Sequence, residues 1–238
     1  MEIFFFWACL FIVLLGFVYA GVPFIHKGFG RLQLRRKVSK FRAIVLTFDD
    51  GPGSRLTSEI MKILDEHNAK ASFFCLGRNI EGREEIIREM AGRGHEICSH
   101  GYEHINYLKV SPFKALSDIK RGWEAIDNVL GCKRGKYPFR PPHGKLNIIC
   151  LLYLLLRNVP VVYWLADSGD TWKIKPPGQW IADIAGKAGG TVSLAHDFDR
   201  RDPSTEKYIL ESTRAALAVA EEHGMKILTV SKLLNDMK

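Results

Sequence analysis

From Ala43 onward the chain alternates between short β-branched or aromatic runs and longer helical patterns, about seven times without a break in composition. The runs predict strands over Ala43–Phe48, Ala71–Leu76, Glu96–Ser99, Lys136–Phe139, Val159–Leu165, Thr191–Ala195 and Lys226–Val230. Helical patterns fall between them, over Thr57–Asn68, Arg83–Arg93, Phe113–Leu130, Leu146–Leu156, Gln179–Ala188 and Thr205–Glu222, with a short terminal helix at the end. Ser111-Pro112 suits the cap and first turn of the third helix. Strands separated by helices pair in parallel, because each crossover returns the chain to the same end of the sheet. So many units favour a barrel over an open sheet, and 238 residues suffice for one such domain. The expected class is α/β, a (β/α)7-type barrel.

The segment before Ala43 is of another kind. Ile3 to Ile25 carries no charged side chain. At ~1.5 Å per residue it reaches ~34 Å, enough for a hydrocarbon core of ~30 Å. A cleaved signal peptide would want a positive start, and only Glu2 precedes the apolar run. The expected organisation is a transmembrane anchor over 1–25, a basic juxtamembrane linker over 26–40 and the α/β domain over 41–238. Lys27, Arg31, Arg35, Arg36, Lys37 and Lys40 against Glu2 put +5 of the net +8 in the first forty residues. Residues 41–238 keep only +3, a poor footprint for nucleic acid. The basic stretch favours a single-pass protein with its domain on the cytoplasmic side, and would also lie well against anionic head groups. Five scattered cysteines, Cys9, Cys75, Cys98, Cys132 and Cys150, form no CxxC pair and agree with a reducing compartment.

In a barrel the chemistry sits on the loops after the strands. The first strand ends in Asp49-Asp50-Gly51-Pro52, two adjacent carboxylates that are costly unless one is neutralised or binds a cation. The third ends in Ser99-His100-Gly101-Tyr102-Glu103-His104. Histidines at i and i+4 share a helix face, a spacing that suits chelation of one metal. Phe139-Arg140-Pro141-Pro142-His143-Gly144 places an arginine where it could hold a carboxylate ionised. Asp167-Ser168-Gly169-Asp170-Thr171-Trp172 puts an acidic pair beside an aromatic ring of the kind that stacks on sugars. Leu194-Ala195-His196-Asp197 places a histidine just past an apolar strand, where it could act as a general acid.

These five segments, in this order, resemble the five motifs of the polysaccharide deacetylase family, the NodB-homology domains of carbohydrate esterase family 4. The resemblance runs from about Ala43 to Val230, and TFDDGP is its most specific piece. It implies a distorted barrel of about seven strands and removal of N-acetyl groups from hexosamine polymers. It also implies a divalent metal, zinc first, with cobalt or manganese as alternatives, held by Asp50, His100 and His104. Asp49 would be the general base, Arg140 its positioning partner, and His196 the general acid tuned by Asp167. The backbone N–H near His143 would stabilise the oxyanion, while Leu194 and Trp172 would line the pocket for the acyl methyl. Gly101 stands where the family usually has Ser or Thr, His143 replaces a usual Tyr, and Trp172 lies one residue later than the usual Asp-Trp. Expected partners are an N-acylated amino-sugar glycan or a lipid-linked sugar, and the membrane through the N-terminal helix. A non-catalytic carbohydrate-binding barrel is the competing reading.

Overall fold

The structure, a computed structural model, describes residues 2–133, 136–171 and 176–235. The first expected strand is two: β1 (Ala43–Val45) and β2 (Thr47–Asp49), separated at Leu46. They are followed by β3 (Ser72–Cys75), β4 (Glu96–Ser99), β5 (Ala166–Asp167), β6 (Thr191–His196) and β7 (Lys226–Ile227). All pairings are parallel, in the order β4-β3-β2-β6-β1-β7, with β5 beside β6. The break at Leu46 lets one stretch of chain serve two neighbourhoods, since β1 pairs with β6 and β7 while β2 pairs with β3 and β6.

The expected strands over 136–139 and 159–165 are reduced to isolated parallel bridges, Ser99 to Phe139 and Phe139 to Val161. Pro138, Pro141, Pro142 and Pro160 explain this, because proline has no N–H to donate to a ladder. The pairing nevertheless continues. Beyond Val161 the chain enters β5, whose Ala166 pairs with Ser193 of β6, so pairing that leaves β6 through β2 returns to it through β5. The last expected strand ends at Ile227, and Val230 instead opens a helix.

Around the strands lie α3 (Leu56–Glu66), α4 (Gly77–Ile80), α5 (Glu84–Gly92), α6 (Pro112–Leu130), α7 (Ile148–Leu156), α8 (Gln179–Ala188), α9 (Pro203–Glu222) and α10 (Val230–Asn235). Ser111 caps α6 by accepting from the Lys114 N–H, and Asn147 caps α7 by accepting from Cys150. Two apolar clusters face opposite sides of the strands. Ile44, Leu46, Phe48 and Phe73 pack outward against the helices, with Phe48 and Phe73 stacked at 5.2 Å. Ala43, Val45, Phe74, Cys98, Val162 and Val192 face inward.

Ahead of the sheet, α1 (Glu2–Gly16), a π-helical turn (Phe17–Gly21) and α2 (Val22–Phe41) form one 40-residue helix, long and apolar enough to cross a membrane. The stretch expected to be a basic linker over 26–40 is therefore helical. Leu34 and Val38, one turn apart, are buried with the inward cluster beside Leu233 of α10, closing the barrel end opposite the strand mouths. The described cysteines form no disulfide.

Candidate active site

Alternation along the strands carries the inward row up into polar side chains. Val45, Thr47 and Asp49 follow one another on the same face of the split first strand, as Val192, Leu194 and His196 do on β6. At the mouth they meet a cleft of about 300 Å³ lined by Asp49, Asp50, His100, His104, His143, Asp167, Leu194 and His196. The fold thus brings together sequence-predicted residues from all five strand-end segments. Arg140 lies behind Asp49, and Trp172 lies outside the described residues.

Adjacent carboxylates diverge here because Asp50 has φ 71°, a left-handed conformation that aspartate tolerates better than most residues. The Asn79 amide donates to the Asp50 carbonyl at 2.7 Å and fixes that turn. Below it Asp197 is fully buried and takes a hydrogen bond from the Thr57 hydroxyl at 2.7 Å. Burial, with Asp50 and Asp49 nearby, pushes its pKa up to about 7.

The His100–His104 segment is not helical. It is a loop in which Gly101 (φ 83°) and His104 (φ 55°) turn the chain so that the two rings converge, with centroids 5.2 Å apart. A Cβ on Gly101 would come within 2.4 Å of Asp118 Oδ2 and 2.5 Å of the Tyr107 hydroxyl oxygen, so Ser or Thr has no room there. Asp118, on α6, accepts from the Tyr102 and Glu103 N–H groups and the Tyr107 hydroxyl, tying the whole loop to one helix.

Asp50 Oδ1 lies 3.5 Å from Nε2 of both His100 and His104. It is buried without a hydrogen-bond partner, as expected of an oxygen placed for a cation. His100 Nδ1 lies 2.7 Å from the Arg140 carbonyl and must donate its hydrogen there, leaving the Nε2 lone pair facing Asp50. Burial lowers the His100 pKa to about 3, so the ring is neutral. One carboxylate and two imidazoles with ligand atoms within 4.8 Å of one another suit a divalent metal with open positions.

Asp49 points the other way. Its Oδ1 accepts from Arg140 Nη1 at 2.6 Å, and the same nitrogen donates to Thr47 Oγ1 at 2.8 Å. Arg140 is wholly buried and its Nε donates to the Val162 carbonyl at 3.3 Å. Burial raises the Asp49 pKa against the opposing pull of Arg140 and His196.

On the far wall the structure corrects the expected partner of His196. Asp167 caps its own turn, its Oδ1 accepting from the Gly169 N–H at 2.9 Å. Asp170 holds the histidine instead, with Oδ1 2.9 Å from His196 Nδ1 and Oδ2 accepting the His196 N–H at 3.1 Å. Ser168 and Arg200 each donate to Asp170 at 2.9 Å. Burial alone would lower the His196 pKa, but the Asp170 carboxylate outweighs it and the value rises to about 9. The signal was present in Asp-Ser-Gly-Asp, since the first aspartate of such a turn commonly satisfies the backbone two residues on. Arg200 and Asp118 carried no comparable signal.

The sequence model of the polysaccharide deacetylase family matches residues 36–154. A chitooligosaccharide deacetylase of Rhizobium leguminosarum bv. trifolii is 30% identical over 158 residues, covering 66% of this chain and 72% of that protein. The chain belongs to the polysaccharide deacetylase family. The peptidoglycan-N-acetylglucosamine deacetylase PgdA of Listeria monocytogenes is 27% identical over 203 residues, 84% of this chain, and the chain spans 40% of its length. Among solved structures, the Bc1960 peptidoglycan N-acetylglucosamine deacetylase superposes with TM-score 0.69 at 26% identity, covering 82% of this chain and 89% of that one. These family neighbours share the parallel α/β fold described above, and Asp50, His100 and His104 supply the group able to hold a divalent ion.

Proposed function

We propose that this polysaccharide deacetylase homologue is a metal-dependent hydrolase that removes the N-acetyl group of an amino sugar in a glycan, with zinc as its metal. The observation that carries the reading is a base and an acid set differently on two sides of three metal donors. Asp49 is a buried carboxylate with a raised pKa, and His196 is an imidazolium at neutral pH. A divalent ion on Asp50, His100 and His104 supplies Lewis acidity toward water and the amide carbonyl.

Asp49, oriented by Arg140, accepts a proton from the attacking water. The backbone N–H of His143, in the Pro142–Gly144 turn that lines the cleft, is the donor assigned to the developing oxyanion. His196 then gives its proton to the sugar amine as the C–N bond breaks, and Asp170 stabilises the charge it held. Acetate and a free amino sugar leave. Leu194, buried between β5 and the cleft, offers the apolar wall that an acetyl methyl needs. The N-terminal helix anchors the protein in a membrane, with its basic second half just outside.

The test is acetate release from chitooligosaccharides and peptidoglycan fragments by the metal-free protein, before and after addition of zinc, cobalt or manganese. Asp49→Asn should bind metal and release no acetate. Absence of release by the metal-loaded protein from every N-acetylated amino sugar tested, polymeric or lipid-linked, refutes the reading. Loss of metal from Asp49→Asn reverses the roles given to the two adjacent aspartates.

A further inference from the structure

The anchor helix does not leave the domain before its apolar run begins. Its π-helical turn, Phe17–Gly21, already packs against α7, and Pro23 is buried. α7 leaves Ile149, Leu152, Leu155 and Leu156 exposed, an apolar stripe at helical spacing alongside the anchor. A bilayer that takes up the anchor therefore meets this face of the domain.

Lys27 is the first charge after the apolar run, two residues or ~3 Å of helix beyond Ile25. Its Nζ donates to the Gly144 carbonyl at 3.3 Å and stands 5.0 Å from the Trp164 ring centre. Gly144 and Trp164 are walls of the catalytic cleft. Arg31 follows one turn later, Lys145 adjoins Gly144, and both exposed side chains lie close enough for their charges to act on Lys27. Among the described residues none of these three cations forms an ion pair with a carboxylate. Like charges grouped in this way repel one another, and an anionic group between them relieves the repulsion.

The order along the surface is apolar stripe, cation cluster, catalytic cleft. A neutral polymer matches only the last of these. We propose that the substrate is an amino sugar carried on a membrane lipid through a phosphate, with the lipid beside α7, the phosphate among Lys27, Arg31 and Lys145, and the N-acyl group at the metal donors. The proposal rests on the deacetylase reading and names the substrate class for that site.

The experiment uses the full chain, zinc-loaded, in phosphatidylcholine nanodiscs. Three substrates are compared: N-acetylglucosamine linked by phosphate to a long-chain polyprenol, an alkyl N-acetylglucosaminide of similar chain length without phosphate, and a soluble chitooligosaccharide. A charge-assisted contact to phosphate predicts kcat/KM about tenfold or more higher for the phosphate-linked lipid than for the alkyl glycoside. Arg31→Gln/Lys145→Gln, at exposed positions that do not threaten the fold, should bring that ratio close to one. Equal kcat/KM for the two lipids overturns the proposal. So does a ratio unchanged in the double variant, which would leave the cations to the bilayer's own head groups. Deacetylation of the chitooligosaccharide alone also overturns it while sparing the deacetylase reading. Inactivity on all three refutes both.

Discussion

Asp170→Asn isolates the device that keeps His196 protonated. In the native site the Asp170 carboxylate, braced by Ser168 and Arg200, raises the imidazole pKa to about 9 against the opposing effect of burial. The amide removes the negative charge and keeps the shape. With burial the largest influence and only the lesser pull of Asp49 and Asp50 left to oppose it, the pKa should fall below the ordinary value of 6.5. A fall of two to three units is about 3 kcal/mol. At pH 7.5 the protonated fraction then drops from nearly all to under about one tenth, and kcat/KM with it by roughly tenfold or more. The assay is the pH profile of kcat/KM for acetate release, paired with an NMR titration of the His196 ring. The native alkaline limb should lie near pH 9 and move down by at least two units in the variant. The sign for stability follows the same shift: the folded pKa is raised, so the pair stabilises the fold fully below about pH 6.5 and loses that contribution as pH rises through about 9. An alkaline limb that stays near 9 in Asp170→Asn would refute both the partner and the acid role.

Asp118→Ala removes the acceptor that binds the Tyr102, Glu103 and Tyr107 donors, so metal affinity measured by competition with a chelator should fall roughly tenfold or more. Gly101→Ala places a methyl against Asp118 and Tyr107 at φ 83°, and should cost about 1–3 kcal/mol in denaturant titration along with metal affinity. Leu34→Ala should destabilise the full chain in detergent by about 2–5 kcal/mol, whereas a free linker would show no loss.

Much of this site could be read before folding because parallel α/β architecture turns sequence order into spatial order. Every crossover returns the chain to the same end, so the residues that follow the strands must converge there. That reasoning singled out Asp49, Asp50, His100, His104, Arg140, His143 and His196, the family resemblance added Leu194, and the uncharged run at the N-terminus already predicted a helix long and apolar enough to cross a membrane. Tertiary structure decided the rest, because it depends on direction as well as position. Period-two alternation sets which side a strand residue faces, but it stops at the loop, where Asp167 turned to its own backbone and left His196 to Asp170. The two candidate metal-binding histidines converge through left-handed turns at Gly101 and His104, conformations that no helical spacing encodes. Basic residues along 26–40 look like solvated linker. Only the barrel interior shows that Leu34 and Val38 are needed to close it, and that Lys27 then stands at the wall of the cleft.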